Sequence, residues 1–276
     1  MPFINKPLSG YSGCSLRLMQ RDGTLFVRKT AGNAGYNDRL MAQMEKQKAF
    51  DHPILRSPKV YGEGVEDGLA YFDMEYINGP TLADLIAEGK VVEASSAVQQ
   101  VTTLFPISSI PETDDKGVRK KLDCLSKKLE KYDCAEVCIR ALNSLYDHAW
   151  RLHALKAHGD LTFQNILVSG GNVYLIDFLD GFADCVEADM AKILQDTVCL
   201  WAFRGKTLPR ASERFLEACS RHVYSVYRAA TNCGTDQLCA TLILALLRIY
   251  PYLKDRYTKD FLDIRLERLL ESGLEA

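Results

Sequence analysis

Apolar positions recur along this chain with two different periods. In the first third they alternate: CSLRLMQ (14–20) and TLFVRKT (24–30) flank a short Gly-containing turn and read as a β-hairpin. A helical stretch follows at 36–50, YNDRLMAQMEKQKAF, before Pro53 and Pro58 break the chain. KVYGEGVEDGLAYFDMEYI (59–77) reads as two more strands about a Gly/Asp-rich turn. After NGPTL (78–82) the period lengthens to that of a helix. Helices are predicted over 81–88, 93–105, 116–131 and 135–156, then near 187–203, 211–231, 236–250 and 256–272. A short β-rich island, NILVSGGNVYLIDF (165–178), interrupts them. There is no internal repeat and no low-complexity tract. The predicted class is α+β: a small antiparallel β lobe with one helix over 1–77, and a larger, mainly helical lobe over 78–276.

Composition narrows the picture only slightly. A net charge of −2 offers no global attraction for nucleic acid or an anionic membrane. The longest apolar stretch, LCATLILALL (238–247), is too short to span a bilayer and is expected as a buried helix. The opening MPFINKPLSG lacks the apolar region of a secretory signal. Nine dispersed cysteines, an odd number, read as reduced thiols of a cytoplasmic protein and not as a disulfide framework. Cys134 and Cys138 are one helical turn apart but have no second Cys/His pair at ligand spacing, which argues against zinc.

The chemistry concentrates in AHGDLTFQNILVSGGNVYLIDF (157–178). Asp160 and Asn165 lie five residues apart on a loop, Asn165 opens a strand, and Asp177 ends that strand's partner across the turn SGGN. The arrangement is expected to bring Asp160, Asn165 and Asp177 to one end of a hairpin. Carboxylate and amide oxygens without cysteine or paired histidine suit a hard cation such as Mg²⁺.

HGDLTFQNIL followed by LIDF resembles the signature of the aminoglycoside phosphotransferase and choline kinase family, relatives of the protein kinases. His158-Gly159-Asp160 stands where His-Arg-Asp stands in protein kinases, with the same spacing to Asn. Asp177-Phe178 stands at the Asp-Phe position, with Leu179 in place of glycine, as is usual for small-molecule kinases. The resemblance implies a two-lobed, protein-kinase-like fold and an ATP- and Mg²⁺-dependent transfer of phosphate to a hydroxyl of a small molecule. It implies that Asp160 is the catalytic base, that Asn165 and Asp177 hold Mg²⁺, and that His158 and Asp189 brace the loop. Asp180 is read as a turn cap with a metal or acceptor contact as the rival. The two-glycine loop LSGYSGCS, with Gly10 and Gly13, is the candidate phosphate cradle. FDMEYINGPTL looks like the hinge, where backbone from Glu75 to Ile77 would meet adenine.

A phosphate-binding cation is expected on the strand FVRKT, where Arg28 and Lys29 compete. Side chains alternate, so one of them faces the nucleotide. With Arg28 inward, Leu25, Val27 and the Lys29 stem share the core face; with Lys29 inward, Arg28 would point into the core. Arg28 is therefore preferred, with Phe26 over the adenine and Glu45, seventeen residues on, as ion-pair partner. Protein kinases use Lys at this position, which keeps Lys29 as the rival. The run KGVRKKLDCLSKKLEKY (116–132), with seven Lys/Arg, reads as a solvated helix face, with contact to an anionic acceptor as the alternative. Acceptors in view are a sugar, an amino alcohol or a surface-polysaccharide precursor, with an aminoglycoside, a choline-type substrate, and a nucleotide-binding pseudokinase as alternatives.

Overall fold

The computed structural model describes residues 5–8, 13–106, 110–132, 135–179, 181 and 183–274. Gly10, Cys134 and Asp180 lie outside the described residues. The elements run β1 (Asn5–Leu8), β2 (Cys14–Arg21), β3 (Thr24–Ala31), α1 (Asn37–Lys48), β4 (Leu55–Arg56), β5 (Val60–Glu66), β6 (Leu69–Glu75), α2 (Leu82–Ala87), α3 (Val91–Thr102), β7 (Glu112–Thr113), α4 (Lys116–Leu129), α5 (Glu136–Tyr146), β8 (Leu152–His153), β9 (Ile166–Ser169), β10 (Asn172–Leu175), α6 (Val186–Thr197), α7 (Arg210–Thr231), α8 (Asp236–Leu247) and α9 (Arg256–Ser272).

The chain divides into two compact units. One holds residues 1–82 with 165–180, and the other holds 83–164 with 181–276. The hairpin β9–β10 thus groups with the N-terminal sheet and not with the helices on either side of it in sequence.

In the first unit five antiparallel strands lie in the order β1-β2-β3-β6-β5. Two hairpins are closed by the same device. Asp22-Gly23 and Asp67-Gly68 both have positive φ at each residue (49° and 81°; 51° and 76°), the two-residue turn whose twist matches that of the strands it joins. Helix α1 lies on this sheet, and Leu40 and Met44 of the helix close on Ala31, Ala70 and Phe72 of the strands. A second sheet, β4-β10-β9, is tied to the segment after β6. Val168 N donates to the Pro80 carbonyl (3.0 Å), Ser169 Oγ to the Asn78 carbonyl (2.8 Å), and Thr81 bridges Leu167. The contact is so close that a Cβ on Gly79 would stand 2.2 Å from the Val168 carbonyl oxygen.

The second unit is built around α6 and α8, both buried along nearly their whole length, with α7 against α6 and α5 and α9 against α8. Leu238 to Leu247 is therefore a core helix, and no single helix among the described residues is long and apolar enough to cross a membrane. Helix α4 buries Val118, Leu122, Leu125 and Leu129 and leaves Lys116, Arg119, Lys120, Lys127 and Lys128 exposed, an amphipathic surface helix. The helix expected over 135–156 ends at Tyr146; Trp150 Nε1 turns back to the Leu145 carbonyl, and Leu152 and His153 pair with β7 instead.

Gly79→Ala should destabilise the protein by about 1–3 kcal/mol, because the added methyl meets backbone that cannot move aside. Gly13→Ala, whose Cβ would have nothing within 4 Å, should shift the thermal midpoint far less, and the two melting curves decide the matter.

Candidate active site

Strand β3 carries both candidate cations, and the structure separates them. Val27, Lys29 and Ala31 share the face turned to α1, and Lys29 is only 3% exposed. Its ammonium is met there by Gln43 Oε1 of α1 (3.1 Å) and by Asp177 Oδ1 (2.5 Å). Arg28 points to the other face. It makes a bidentate pair with buried Asp73 of β6 (2.7 and 3.0 Å), reaches Glu66 (3.1 Å), and lies 3.9 Å above the Tyr71 ring. The hydrogen bond to Asp73 raises the Arg28 pKa against the opposing effect of burial.

The expected Arg28–Glu45 pair is therefore corrected. Glu45 stands on the solvent side of α1, 65% exposed, and pairs with Lys48 (3.1 Å). The strand alternates as expected, and each of its faces accommodates a charge. The helix-facing side, which looks forbidding to a charge, offers Lys29 an amide oxygen and a carboxylate. The opposite side supplies Asp73 directly across β3 from Arg28. Gln43, fourteen residues after Lys29, is an uncharged partner that pairing of opposite charges along the sequence does not reveal. Asp73 is visible in FDMEYI only once the β3–β6 register is known.

Asp177 and Asn165 come together through the hairpin ladder. Ile166 pairs with Leu175, and Ile176 N donates to the Asn165 carbonyl (3.0 Å). Both oxygen-bearing side chains thus sit at the same end of β9–β10. Asp177 adopts the left-handed conformation (φ 60°), uncommon for a residue with a side chain and outside any hairpin turn. One carboxylate and one amide suit Mg²⁺, which characteristically takes one or two protein oxygens and completes its shell with phosphate and water. Among the described residues no group of three or more His, Cys, Asp or Glu is placed to hold a metal. Lys46 adds a further link to this segment through the Leu179 carbonyl (2.9 Å).

The strand that ends in the hinge segment leaves Glu75 with its N–H committed to the Lys59 carbonyl (2.8 Å) and its side chain on Lys59 N (3.2 Å). Ile77 follows on the connection to α2, half-buried. Gly13 opens β2, and its carbonyl lies against Gly32 so closely that a Cβ there would be 1.9 Å away.

In the second unit, one face of α6 holds the loop His158–Phe163. Asp189 accepts from the backbone N–H groups of His158 (2.5 Å) and Gly159 (2.8 Å); Gly159 has φ 91°, a conformation open to glycine, which lets two successive N–H groups converge on one carboxylate. Asp196 accepts from Phe163 N (2.7 Å) and from Ala202 N (3.1 Å). Between them Lys192 Nζ lies 3.0 Å from Asp160 Oδ1. The His158 ring accepts from Asp160 N (3.3 Å). Burial alone would raise the Asp160 pKa, but the Lys192 charge and hydrogen bond, helped by His158 and Arg248, outweigh it and keep the carboxyl below the usual range. Burial dominates at Asp196 and pushes it up to about 7, against the two N–H donors and Lys192. Sequence reading found Asp189 but missed Lys192 and Asp196, although positions 189, 192 and 196 fall on one helical face.

The match to known families follows this geometry. The model of the phosphotransferase enzyme family matches residues 7–229. The chain belongs to the phosphotransferase enzyme family. No curated protein is significantly similar to this phosphotransferase in sequence. Among solved structures it is similar to a thermostable mutant of aminoglycoside phosphotransferase APH(4)-Ia in ternary complex with AMP-PNP and hygromycin B (TM-score 0.67, 17% identity, 99% of this chain and 94% of that chain). It is also similar to a type VIII aminoglycoside-3'-phosphotransferase (TM-score 0.53, 14% identity, 97% and 94%). A third likeness is to the choline kinase LicA from Streptococcus pneumoniae (TM-score 0.59, 13% identity, 96% and 91%). The phosphotransferase thus has the α+β, protein-kinase-like fold of these enzymes.

Arg28→Ala should destabilise the phosphotransferase by roughly 2 kcal/mol, since it removes the bidentate partner of the buried Asp73 carboxylate and leaves it only Arg21, at 3.6 Å. Glu45→Ala should change stability by less than about 0.5 kcal/mol, and the double variant should show only the sum of the two. Non-additive unfolding energies would restore the Arg28–Glu45 pair.

Proposed function

We propose that this phosphotransferase moves the terminal phosphoryl group of ATP to a hydroxyl of a small molecule. The observation that carries the reading is the meeting of Lys29 and Asp177. A buried ammonium and a carboxylate on left-handed backbone are held together 148 residues apart in sequence, at the end of the hairpin where Asn165 also stands. Such a pair is suited to polyphosphate: the ammonium to phosphate oxygens, the carboxylate and amide to the accompanying Mg²⁺. When bound, Mg²⁺ would neutralise charge on the phosphates.

The chain's own residues take the following parts in this reading. Lys29 contacts the phosphates, and Arg28 supports the sheet from its other face. Backbone N–H groups near Gly13 approach the phosphates. With the Glu75 N–H already committed, Glu75 can offer adenine its carbonyl, and Ile77 its backbone. Asp160, kept ionised beside Lys192, orients the acceptor hydroxyl and takes its proton. Catalysis is then positioning and charge compensation, with no covalent intermediate. The acceptor classes proposed are a sugar, an amino alcohol or a precursor of a surface polysaccharide; aminoglycosides and choline-type alcohols belong to the same test.

That test is phosphate transfer from ATP with Mg²⁺ against a panel of those alcohols, with release of inorganic phosphate in their absence as the baseline. A protein that binds Mg·ATP and transfers to no acceptor and no water would be a nucleotide-binding module, and the proposal would fail. Asp160→Asn should retain Mg·ATP affinity and lower kcat by about 10²–10⁴-fold; near-normal turnover would remove it from the base role. Asp177→Ala should lose Mg²⁺-dependent ATP binding in calorimetry, and Lys29→Ala should raise the KM for ATP well beyond Arg28→Ala.

A further inference from the structure

We propose that Lys192 is a positioning residue for phosphoryl transfer, a cation delivered to Asp160 from helix α6. The inference rests on the reading of Asp160 as the group that receives the acceptor's proton. In that step the acceptor oxygen bonds to the γ-phosphorus, the bond from that phosphorus to the bridging oxygen breaks, the proton passes to Asp160, and ADP leaves. The carboxylate must be charged and correctly aimed before the step begins.

The loop HGDLTFQN has no lysine or arginine with which to hold that carboxylate; the positions after Asp160 are Leu161, Thr162 and Phe163. Helix α6 supplies one. The Lys192 side chain is only 11% exposed, and its ammonium is fixed from two sides, by Asp160 Oδ1 at 3.0 Å and by Gln195 Oε1 at 3.2 Å. Gln195 is itself 2% exposed. A buried amide that spends its oxygen on a lysine one turn away directs that lysine; it does not serve as a solvated surface contact. Lys192 also sits between Asp189 and Asp196, which fix the backbone before and after Asp160. The three side chains take hold of residues 158–159, 160 and 163 in order, so the contact to Asp160 is in register with the hold on its backbone. Asp160 keeps part of its surface, with 24% of the side chain exposed, so an acceptor can reach it while Lys192 holds one oxygen.

The experiment compares Lys192→Met, Lys192→Arg, Asp160→Asn and the double variant K192M/D160N. Mg·ATP affinity is read by calorimetry, and turnover by phosphate release and by transfer to the alcohol panel. Lys192→Met should lower kcat at least tenfold while leaving Mg·ATP affinity within about threefold. Lys192→Arg should recover most of the lost turnover, since it restores the charge. K192M/D160N should be no slower than Asp160→Asn alone, because the lysine acts through that carboxylate. Thermal unfolding of the same four proteins gives a readout without turnover: the losses in melting temperature should be less than additive across the pair. Lys192→Met with wild-type kcat, losses that multiply in the double variant, or additive melting shifts would each overturn the proposal. If Lys192→Met does not fold, a Lys192→Arg protein that folds but stays as slow as Asp160→Asn overturns it as well. Wild-type protein that transfers phosphate neither to water nor to any alcohol overturns the functional reading and this inference with it; active wild type with an equally active Lys192→Met overturns this inference alone.

Discussion

The chemistry of the second unit depends on one helical face. Asp189, Lys192 and Asp196 follow one another at intervals of three and four residues, so their side chains fall on one side of α6. Each holds a successive part of the loop His158–Phe163 through backbone N–H groups or through the Asp160 carboxylate. A loop without regular structure must satisfy its buried N–H groups somewhere. Here they are satisfied by carboxylates on a helix that is itself locked into the core against α7 and α8. The loop inherits its rigidity from that helix, and Asp160 inherits its orientation from the loop. Buried charges of this kind are costly unless each finds donors or a counter-ion, and each of these three does.

The first unit solves the corresponding problem with a single lysine. Lys29 stands in a row of apolar residues on the helix-facing side of β3, where an unpaired ammonium would be expensive. Gln43 and Asp177 accept hydrogen bonds from it. That arrangement couples three elements: the central strand, the helix laid on it and the end of the β9–β10 hairpin. Arg28, one residue earlier, closes the opposite face through Asp73, Glu66 and Tyr71. Neighbouring cations on one strand thus serve two unrelated purposes, and a shift of one residue in register would exchange them.

These two arrangements also account for the phosphotransferase chemistry proposed for the chain. One unit brings together an ammonium and a carboxylate suited to phosphate and Mg²⁺, with Asn165 at the same end of the hairpin. The other holds an ionised carboxylate beside a cation.

What could be read from the sequence was whatever depends on local period and local spacing. Alternation and DG turns located β2, β3, β5 and β6, and helical period located α1 and α7 to α9 to within a few residues; α6 was expected to run to 203 but ends at Thr197. HGDLTFQN and LIDF named Asp160, Asn165 and Asp177. The family likeness of those residues was legible because their spacing along one loop and hairpin carries it. The choice between Arg28 and Lys29 was not legible. Alternation says only that they face opposite ways, and which face tolerates a charge is settled by residues 14, 45 and 148 positions away. Gln43, Asp73, Lys192 and Asp196 were silent for the same reason. Each is an ordinary residue on a helix or strand until the fold brings its partner within hydrogen-bonding distance, and local pattern does not encode those long-range pairings.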